Sequence, residues 1–391
     1  MRSLSLAWRY VWHHKFKTVL MVLCIVLTLL MPIALSILLS SFNKQIVARA
    51  EATPLIVGAQ GSRVDLTMHG LYFRTKAPDV IPYGEQKKVG DRGLAIPLHV
   101  RVTSQRVPVV GTSLDYFEYR GIGLAEGFGL VRLGDCVLGH RVAKKLAVQV
   151  GDSLLTDPEN IFAFAGPEPL KMRVAGVLTK SNSPDDDVIF VDINTSWVIE
   201  GLIHGHDEAA DLAAADRLNP NEEGAIKAAP SVRSFLEITD ENAHLFHFHG
   251  SVDEFPVTAF IVVPKDQRAE TLLLGDFMST ASRSQMSEPI EVVQELMGLV
   301  FRVKKFFDAN AILVTVSTLL LLFLVVVLSI RLRAGEMATM FKIGCGRGMM
   351  SSLIVSELFI VFAVAAIGIT LGVLAVYWNA DDLVKTLLNQ S

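Results

Sequence analysis

Three long runs of apolar residues without a charged side chain interrupt an otherwise mixed sequence, at Thr18–Asn43, Ala309–Ile330 and Leu358–Ala380. The shortest run has 22 residues. A helix of that length reaches about 33 Å at about 1.5 Å per residue, which is enough to cross a hydrocarbon core of about 30 Å. The pattern therefore predicts three transmembrane helices, which we place at residues 18–43, 309–330 and 351–378.

The block between the first two runs, residues 44–286, has a mixed pattern. Leu94–Val102 and Phe255–Val263 have the composition of strands, whereas His140–Val148 has that of a helix. This mixture predicts a large α+β domain between transmembrane helices 1 and 2. Residues 287–308 carry their acids first and their bases last, as the helix dipole favours, and are predicted to form a stalk helix that runs into the second span.

The remaining segments are short and polar. Residues 1–17 mix bases with aromatic residues, which is typical of a helix in the membrane interface on the cytoplasmic side. Residues 331–350 form a basic connector between the second and third spans, and residues 379–391 are predicted to be a tail too short to cross a bilayer. A cleavable signal peptide is disfavoured, because the first apolar run far exceeds the roughly 7–15 residues of a signal core.

Composition and charge agree with a membrane protein and orient it. Hydrophobic residues make up 51% of the chain, and the mean hydropathy is +0.42, which is high for a soluble protein. The first 17 residues carry four bases and no acid, whereas the block between the first two spans has an excess of nine acids. Because Lys and Arg are enriched in short cytoplasmic segments, the N-terminus and connector are predicted inside, and the large block and the tail outside. Cys136 is the only cysteine in that block, so no intrachain disulfide is expected there.

Four stretches, in this order, resemble the FtsX-like permease family, the membrane subunits of ABC transporters such as MacB and the lipoprotein-releasing permeases. They are Pro54–Gly61, Val137–Asp152, Lys171–Val177 with Asp185–Val191, and the connector Arg333–Arg347 followed by Glu357. The resemblance implies a MacB-like periplasmic core domain outside the bacterial inner membrane. It also implies a connector that forms a coupling helix on a separate ABC ATPase, a second permease copy as homodimer or heterodimer partner, and a periplasmic partner protein. The family usually has a fourth span, and this sequence predicts three.

The sequence contains no phosphate-binding loop of its own. Gly344–Gly348 is a glycine cluster near a helix start, but it lacks the lysine and follows no strand. ATP and Mg are therefore expected on the partner, and the chain is predicted not to be an enzyme. No nucleic acid is expected as a partner. The bases of the connector could simply mark its inside face. The resemblance adds a coupling role, which would involve Arg333, Glu336, Met337, Met340, Phe341, Ile343 and Arg347.

Two histidine clusters in the outer block leave a second function open. His204 and His206 form one pair, and His247 and His249 form another that would share one face of a strand. Two histidines and a nearby carboxylate would satisfy part of a zinc shell, while the alternative is surface histidines in a loop and at a strand edge. The leading prediction is a permease subunit that couples ATP hydrolysis by its partner to motion of the outer domain, as in mechanotransmission or export. The alternative is a zinc-handling or metal-sensing membrane protein in a metal uptake system.

Overall fold

The computed structural model describes residues 8–9, 11–13, 15–73, 78–158, 168–204, 235–248, 250–277, 283–332, 334–344 and 346–390. The chain divides into two compact units. The first contains Met1–Ile46 and Glu295–Ser391, and the second contains Val47–Gln294. We describe each unit by itself.

Among the described residues, helices occur in both units and strands occur in the second unit. The α-helices are α1 (Lys15–Glu51), α2 (Arg63–Tyr72), α3 (Asp115–Arg120), α4 (His140–Leu146), α5 (Ile193–Ile199), α6 (Gln267–Phe277), α7 (Pro289–Leu332), α8 (Ala334–Lys342) and α9 (Arg347–Gln390). Short 3-10 helices include Tyr83–Lys88, Pro184–Asp187 and Ala243–Leu245. The strands are β1 (Leu55–Ala59), β2 (Ile81–Pro82), β3 (Gly93–Ser104), β4 (Val107–Thr112), β5 (Leu124–Gly127), β6 (Asp135–Leu138), β7 (Ser153–Leu155), β8 (Leu170–Leu178), β9 (Ile189–Asp192), β10 (Ile203–His204), β11 (Leu236–Glu237), β12 (His247–Phe248), β13 (Pro256–Val257), β14 (Ala259–Pro264) and β15 (Ser284–Ser287).

Three segments among the described residues are long and apolar enough to span a membrane: Thr18–Glu51, Pro289–Leu328 and Ser351–Ala380. The prediction of three long apolar helices is therefore confirmed. The predicted stalk and second span lie in one helix, α7, and α9 continues through the residues predicted to be a tail. The first seven residues of the predicted interfacial helix lie outside the described residues.

In the first unit, α1, α7 and α9 pack against one another. The hydroxyls of Thr28 and Thr318 lie 3.2 Å apart and join α1 to α7. Ile25, Val361 and Ala365 form a small buried cluster between α1 and α9. An apolar cavity of about 310 Å³ lies among the three helices. Helix contacts of this kind rely on close packing, because lipid is as apolar as the side chains it replaces.

The second unit is built on a mixed sheet of 11 strands, counted within the described residues, with helices packed on it. Its main path runs β11-β8-β6-β9-β4-β3-β14-β1-β15, and β5 and β7 pair with β8. The central strands β4 and β9 are parallel, with Val109 opposite Ile189. Residues 107–110 of β4 and residues 189–191 of β9 are apolar, which is typical of strands covered on both faces. The α+β prediction for this block is therefore confirmed.

Candidate functional site

The last turn of α1 belongs to the second unit, and there it carries a buried arginine. Arg49 makes a two-pronged ion pair with Asp185, with Nη1 2.6 Å from Oδ2 and Nη2 2.8 Å from Oδ1. Arg49 Nη2 also donates to the Tyr116 hydroxyl at 2.8 Å, and that hydroxyl donates to Asp185 Oδ1 at 2.5 Å. The side chains of Arg49 and Asp185 are only 8% and 1% exposed. The three groups therefore satisfy one another away from water.

Local sequence positions the acid. Ser183 caps the 3-10 helix Pro184–Asp187, and its hydroxyl donates to Asp185 Oδ2 at 2.7 Å. Burial by itself raises the pKa of the Asp185 carboxyl, but the charge and hydrogen bonds of Arg49 outweigh burial and hold that pKa below its usual range. Burial raises the pKa of Tyr116, so its hydroxyl stays protonated and can donate. The charge distribution is therefore fixed at neutral pH.

Helix α3 holds the carboxyl end of α1. The Tyr119 hydroxyl donates to the carbonyl of Ala52, and Arg120 Nη2 donates to the Thr53 hydroxyl at 2.9 Å. The Thr53 hydroxyl in turn donates to the carbonyl of Arg49 at 3.0 Å. A cation and hydroxyl donors at the end of a helix satisfy its last carbonyls and complement its dipole. We call Arg49, Tyr116, Arg120 and Asp185 the α1 anchor, which is defined by these contacts.

The α1 anchor is suited to holding a helix end in place. Removing one partner of a buried pair leaves an unpaired buried charge, which typically costs about 3–5 kcal/mol. Sequence analysis did not single out Arg49 or Asp185. The available signals were two bases, Lys44 and Arg49, in the polar extension of the first apolar helix, and a run of three acids at Asp185–Asp187. Neither signal indicates which base forms an ion pair with which acid.

The predicted coupling residues lie on and around the short helix α8. Glu336, Met337, Met340 and Phe341 belong to that helix, Ile343 follows it, and Arg347 begins α9. Arg333 lies outside the described residues. The side chains of Phe341 and Ile343 are 53% and 79% exposed in this chain. Gly344 ends the segment with φ +100°, a left-handed conformation that favours glycine. The coupling role of these residues stays a prediction.

The histidines are only partly within the described residues. His204 on β10 is opposite His247 on the antiparallel strand β12. The side chain of His247 is exposed, and its Nδ1 lies 2.8 Å from the carbonyl of Leu245. His206 and His249 lie outside the described residues. Within the part of the chain that the structure describes, no group of three or more His, Cys, Asp or Glu is arranged to hold a metal ion. Zinc binding at these histidines stays a prediction.

Comparison with known proteins gives one family match. Residues 18–230 match the family of the MacB-like periplasmic core domain. Among solved structures, the chain is similar to the periplasmic region of MacB from Actinobacillus actinomycetemcomitans, with 11% identity, 64% of this chain and 97% of that chain covered, and a TM-score of 0.33. It is also similar to the extracellular domain of the noncanonical ABC-type transporter YknZ from Gram-positive bacteria, with 10% identity, 60% and 98% coverage, and a TM-score of 0.31. No curated protein matches.

Proposed function

This chain belongs to the family of the MacB-like periplasmic core domain, and from that premise we propose that it is the permease subunit of an ABC transporter whose ATP is hydrolysed by a separate subunit. Family membership makes it a membrane transporter component with an extracytoplasmic domain. The proposal adds that this chain is the membrane subunit and that a separate subunit hydrolyses ATP. The observation that carries it is the family match over residues 18–230. That match includes the first apolar helix together with much of the second unit.

In this proposal the chain transmits motion and does not conduct a polar solute. The runs Thr18–Asn43, Ala309–Ile330 and Leu358–Ala380 contain no Asp, Glu, Lys, Arg or His side chain with which to line a hydrophilic pore. Two helices are long enough to carry motion out of the membrane, since α1 has 37 residues and α7 has 44. Movement that ATP drives at the connector would reach the outer domain through these helices. Export or mechanotransmission outside the membrane follows from that arrangement.

The proposed partners follow from the same arrangement. An ABC ATPase subunit docks on α8 and the residues around it, where exposed apolar side chains are available. A second permease copy completes the pair that two ATP sites require, and a periplasmic partner protein receives the motion of the outer domain. The proposed location is the bacterial inner membrane, with the connector in the cytoplasm.

The experiment that tests the proposal is co-purification in detergent of the tagged full chain with co-expressed candidate ABC ATPases. The variant is Ile343→Asp, and the matched control is Val131→Asp in the second unit, because the two side chains are 79% and 80% exposed. We expect the wild type and Val131→Asp to retain one ATPase. Ile343→Asp should lose about tenfold or more in affinity, because a buried, unpaired carboxylate is costly.

Two outcomes would contradict the proposal. One is that a correctly folded wild type retains no candidate ATPase, and the other is that Val131→Asp loses the ATPase as much as Ile343→Asp does. The first outcome would favour the metal-handling alternative. That alternative predicts zinc in the purified protein, measured by elemental analysis, which is lost in His247→Ala and kept in His244→Ala.

A further inference from the structure

We propose that the α1 anchor is the joint through which a displacement of α1 reaches the central strands of the sheet. The inference rests on the proposed function, because it names the residues that would carry the transmitted motion within the second unit. Arg49, in the last turn of α1, is the moving partner of the joint. Asp185 and Tyr116 are its partners on the sheet side.

Both partners are attached to the middle of the sheet. Asp185 lies in the 3-10 helix that ends at Asp187, and β9 begins at Ile189. Tyr116 lies in α3, which begins three residues after β4 ends at Thr112. Strands β4 and β9 are neighbours in parallel register, and the Tyr116 ring packs on Phe190 of β9 with centroids 5.4 Å apart. A pull on Arg49 is therefore delivered to two adjacent central strands at once.

The chemistry of the contact is directional. Two guanidinium nitrogens of Arg49 bind the two carboxylate oxygens of Asp185, and Arg49 Nε donates to the carbonyl of Leu71 at 3.3 Å. Apolar packing would let the end of α1 slide or rotate with little change in contact. A bidentate arginine–carboxylate pair, by contrast, loses several hydrogen bonds on a small displacement. A buried ion pair adds little net stability over apolar side chains of the same volume. Its presence at the end of α1 points to a role in fixing position.

The first turn of α7 in the second unit is held differently. Its ion pair, Arg63 with Glu291 at 3.2 Å, has side chains that are 49% and 61% exposed. An exposed pair of that kind holds weakly, because water and salt compete for both charges. The buried residues at this point, Val292 and Val293, are apolar. The directional contact is therefore on α1, and we expect α1 to move the sheet while the start of α7 can adjust.

The test measures the position of the α1 end relative to the sheet by electron paramagnetic resonance. Spin labels are placed at Ala48→Cys, an exposed position near the end of α1, and at Val131→Cys, both within the second unit of the full chain in detergent, with Cys24, Cys136 and Cys345 replaced by Ala. The variant is Arg49→Met with Asp185→Asn, which removes both charges together, so that no unpaired charge stays buried. In the labelled protein that keeps Arg49 and Asp185, we expect one narrow distribution of distances between the two labels. In the double variant, we expect this distribution to become broad.

The matched control uses a second arginine–aspartate fork on the same 3-10 helix. Arg141 of α4 binds Asp187 through Nε at 2.7 Å and Nη2 at 2.5 Å. This ion pair does not involve α1. Arg141→Met with Asp187→Asn should keep the narrow distribution. Both double variants are first checked for a cooperative thermal transition. If the Arg49 double variant does not fold, Arg49→Lys decides, because it keeps the charge but cannot form the fork, and partial broadening is expected.

The inference is overturned if the folded Arg49 variants keep the narrow distribution, or if the Arg141 control broadens it equally. Because this measurement needs no ATPase, its result does not depend on whether an ATPase is recovered. When the recovered ATPase is added, the Arg49 double variant should bind it as the wild type does. It should lose the change in label distance that ATP causes in the wild type, which separates a failed joint from a failed docking site.

Discussion

At the residue scale, the tip of the β3–β4 hairpin shows how one acid can hold a strained turn. Gln105 and Arg106 have φ +50° and +64°, the left-handed region that favours glycine or asparagine. The Asp157 carboxylate accepts hydrogen bonds from both of their backbone N–H groups at 2.9 Å, and from the Thr103 hydroxyl at 2.6 Å. Three donors thus converge on one carboxylate and offset the cost of the turn.

We predict that Asp157→Asn lowers the free energy of unfolding of the full chain at pH 7 by about 1–2 kcal/mol. Each kcal/mol lost lowers the thermal midpoint by about 2–4 °C. An amide oxygen accepts less strongly than a carboxylate and replaces one acceptor by a donor. Thermal unfolding in detergent, followed by tryptophan fluorescence, measures the change. Adding Gln105→Asn with Arg106→Gly should recover part of the loss, because these residues adopt the turn with less strain. No loss in Asp157→Asn would show that the carboxylate does not hold the turn.

The same carboxylate gives the prediction a pH dependence. Burial raises the pKa of Asp157, but the hydrogen bonds from Thr103 and the two amides outweigh it and bring that pKa below its usual value. A lowered folded pKa means that the stabilisation is present above the unfolded pKa of about 3.9 and is lost as the pH falls through the folded value. The difference between wild type and Asp157→Asn should therefore shrink in acid and stay constant from about pH 6 to 8.

At the element scale, glycine on α9 sets how closely α1 and α9 pack in the first unit. A Cβ added at Gly372 would lie 2.8 Å from Leu30 Cδ2, and one added at Gly368 would lie 3.2 Å from Val26 Cγ2. Small residues at such positions allow two membrane helices to approach closely. The Thr28–Thr318 contact on α7 completes the three-helix arrangement.

We predict that Gly372→Val destabilises the helix packing by about 1–3 kcal/mol, the usual cost of overpacking. The matched control is Gly348→Val in the same helix, since an added Cβ there meets no heavy atom within 4 Å. Gly348 lies in the first turn of α9 and Gly372 in its interior. Valine is a better helix former than glycine, so the backbone preference cannot account for a loss at Gly372, and the contact with Leu30 is left as its cause. The thermal midpoint in detergent should fall for Gly372→Val and change little for Gly348→Val. Equal changes in the two variants would contradict the packing at Leu30.

At the scale of the whole molecule, the separation of charge gives an orientation that can be tested. Bases dominate residues 1–17 and acids dominate the block between the first two spans. This distribution predicts that the second unit lies outside the cytoplasm and the connector inside. Family membership agrees with an extracytoplasmic domain, and the orientation of each span stays a prediction.

We predict that an impermeant maleimide labels Val131→Cys in cells with a permeabilised outer membrane, and labels Ile343→Cys only after lysis. Both positions are about equally exposed, at 80% and 79%, so a difference in labelling reports the side of the membrane. The three native cysteines are replaced by Ala in both proteins. Labelling of Ile343→Cys before lysis would place the connector outside and invert the orientation.

The sequence by itself determined the class of protein, because hydropathy, charge and side-chain period are local properties of the chain. The three apolar helices and the α+β block could be predicted in this way, and so could the resemblance that the family match bears out. Only the tertiary structure decided the contacts at the α1 anchor. Arg49 and Asp185 are 136 residues apart along the chain. Arg49 precedes β1 and Asp185 precedes β9, and the strand order β9-β4-β3-β14-β1 decides where these two segments lie. Two bases after an apolar run and a separate run of acids carry no information about which base pairs with which acid, since strand order depends on the packing of the whole sheet.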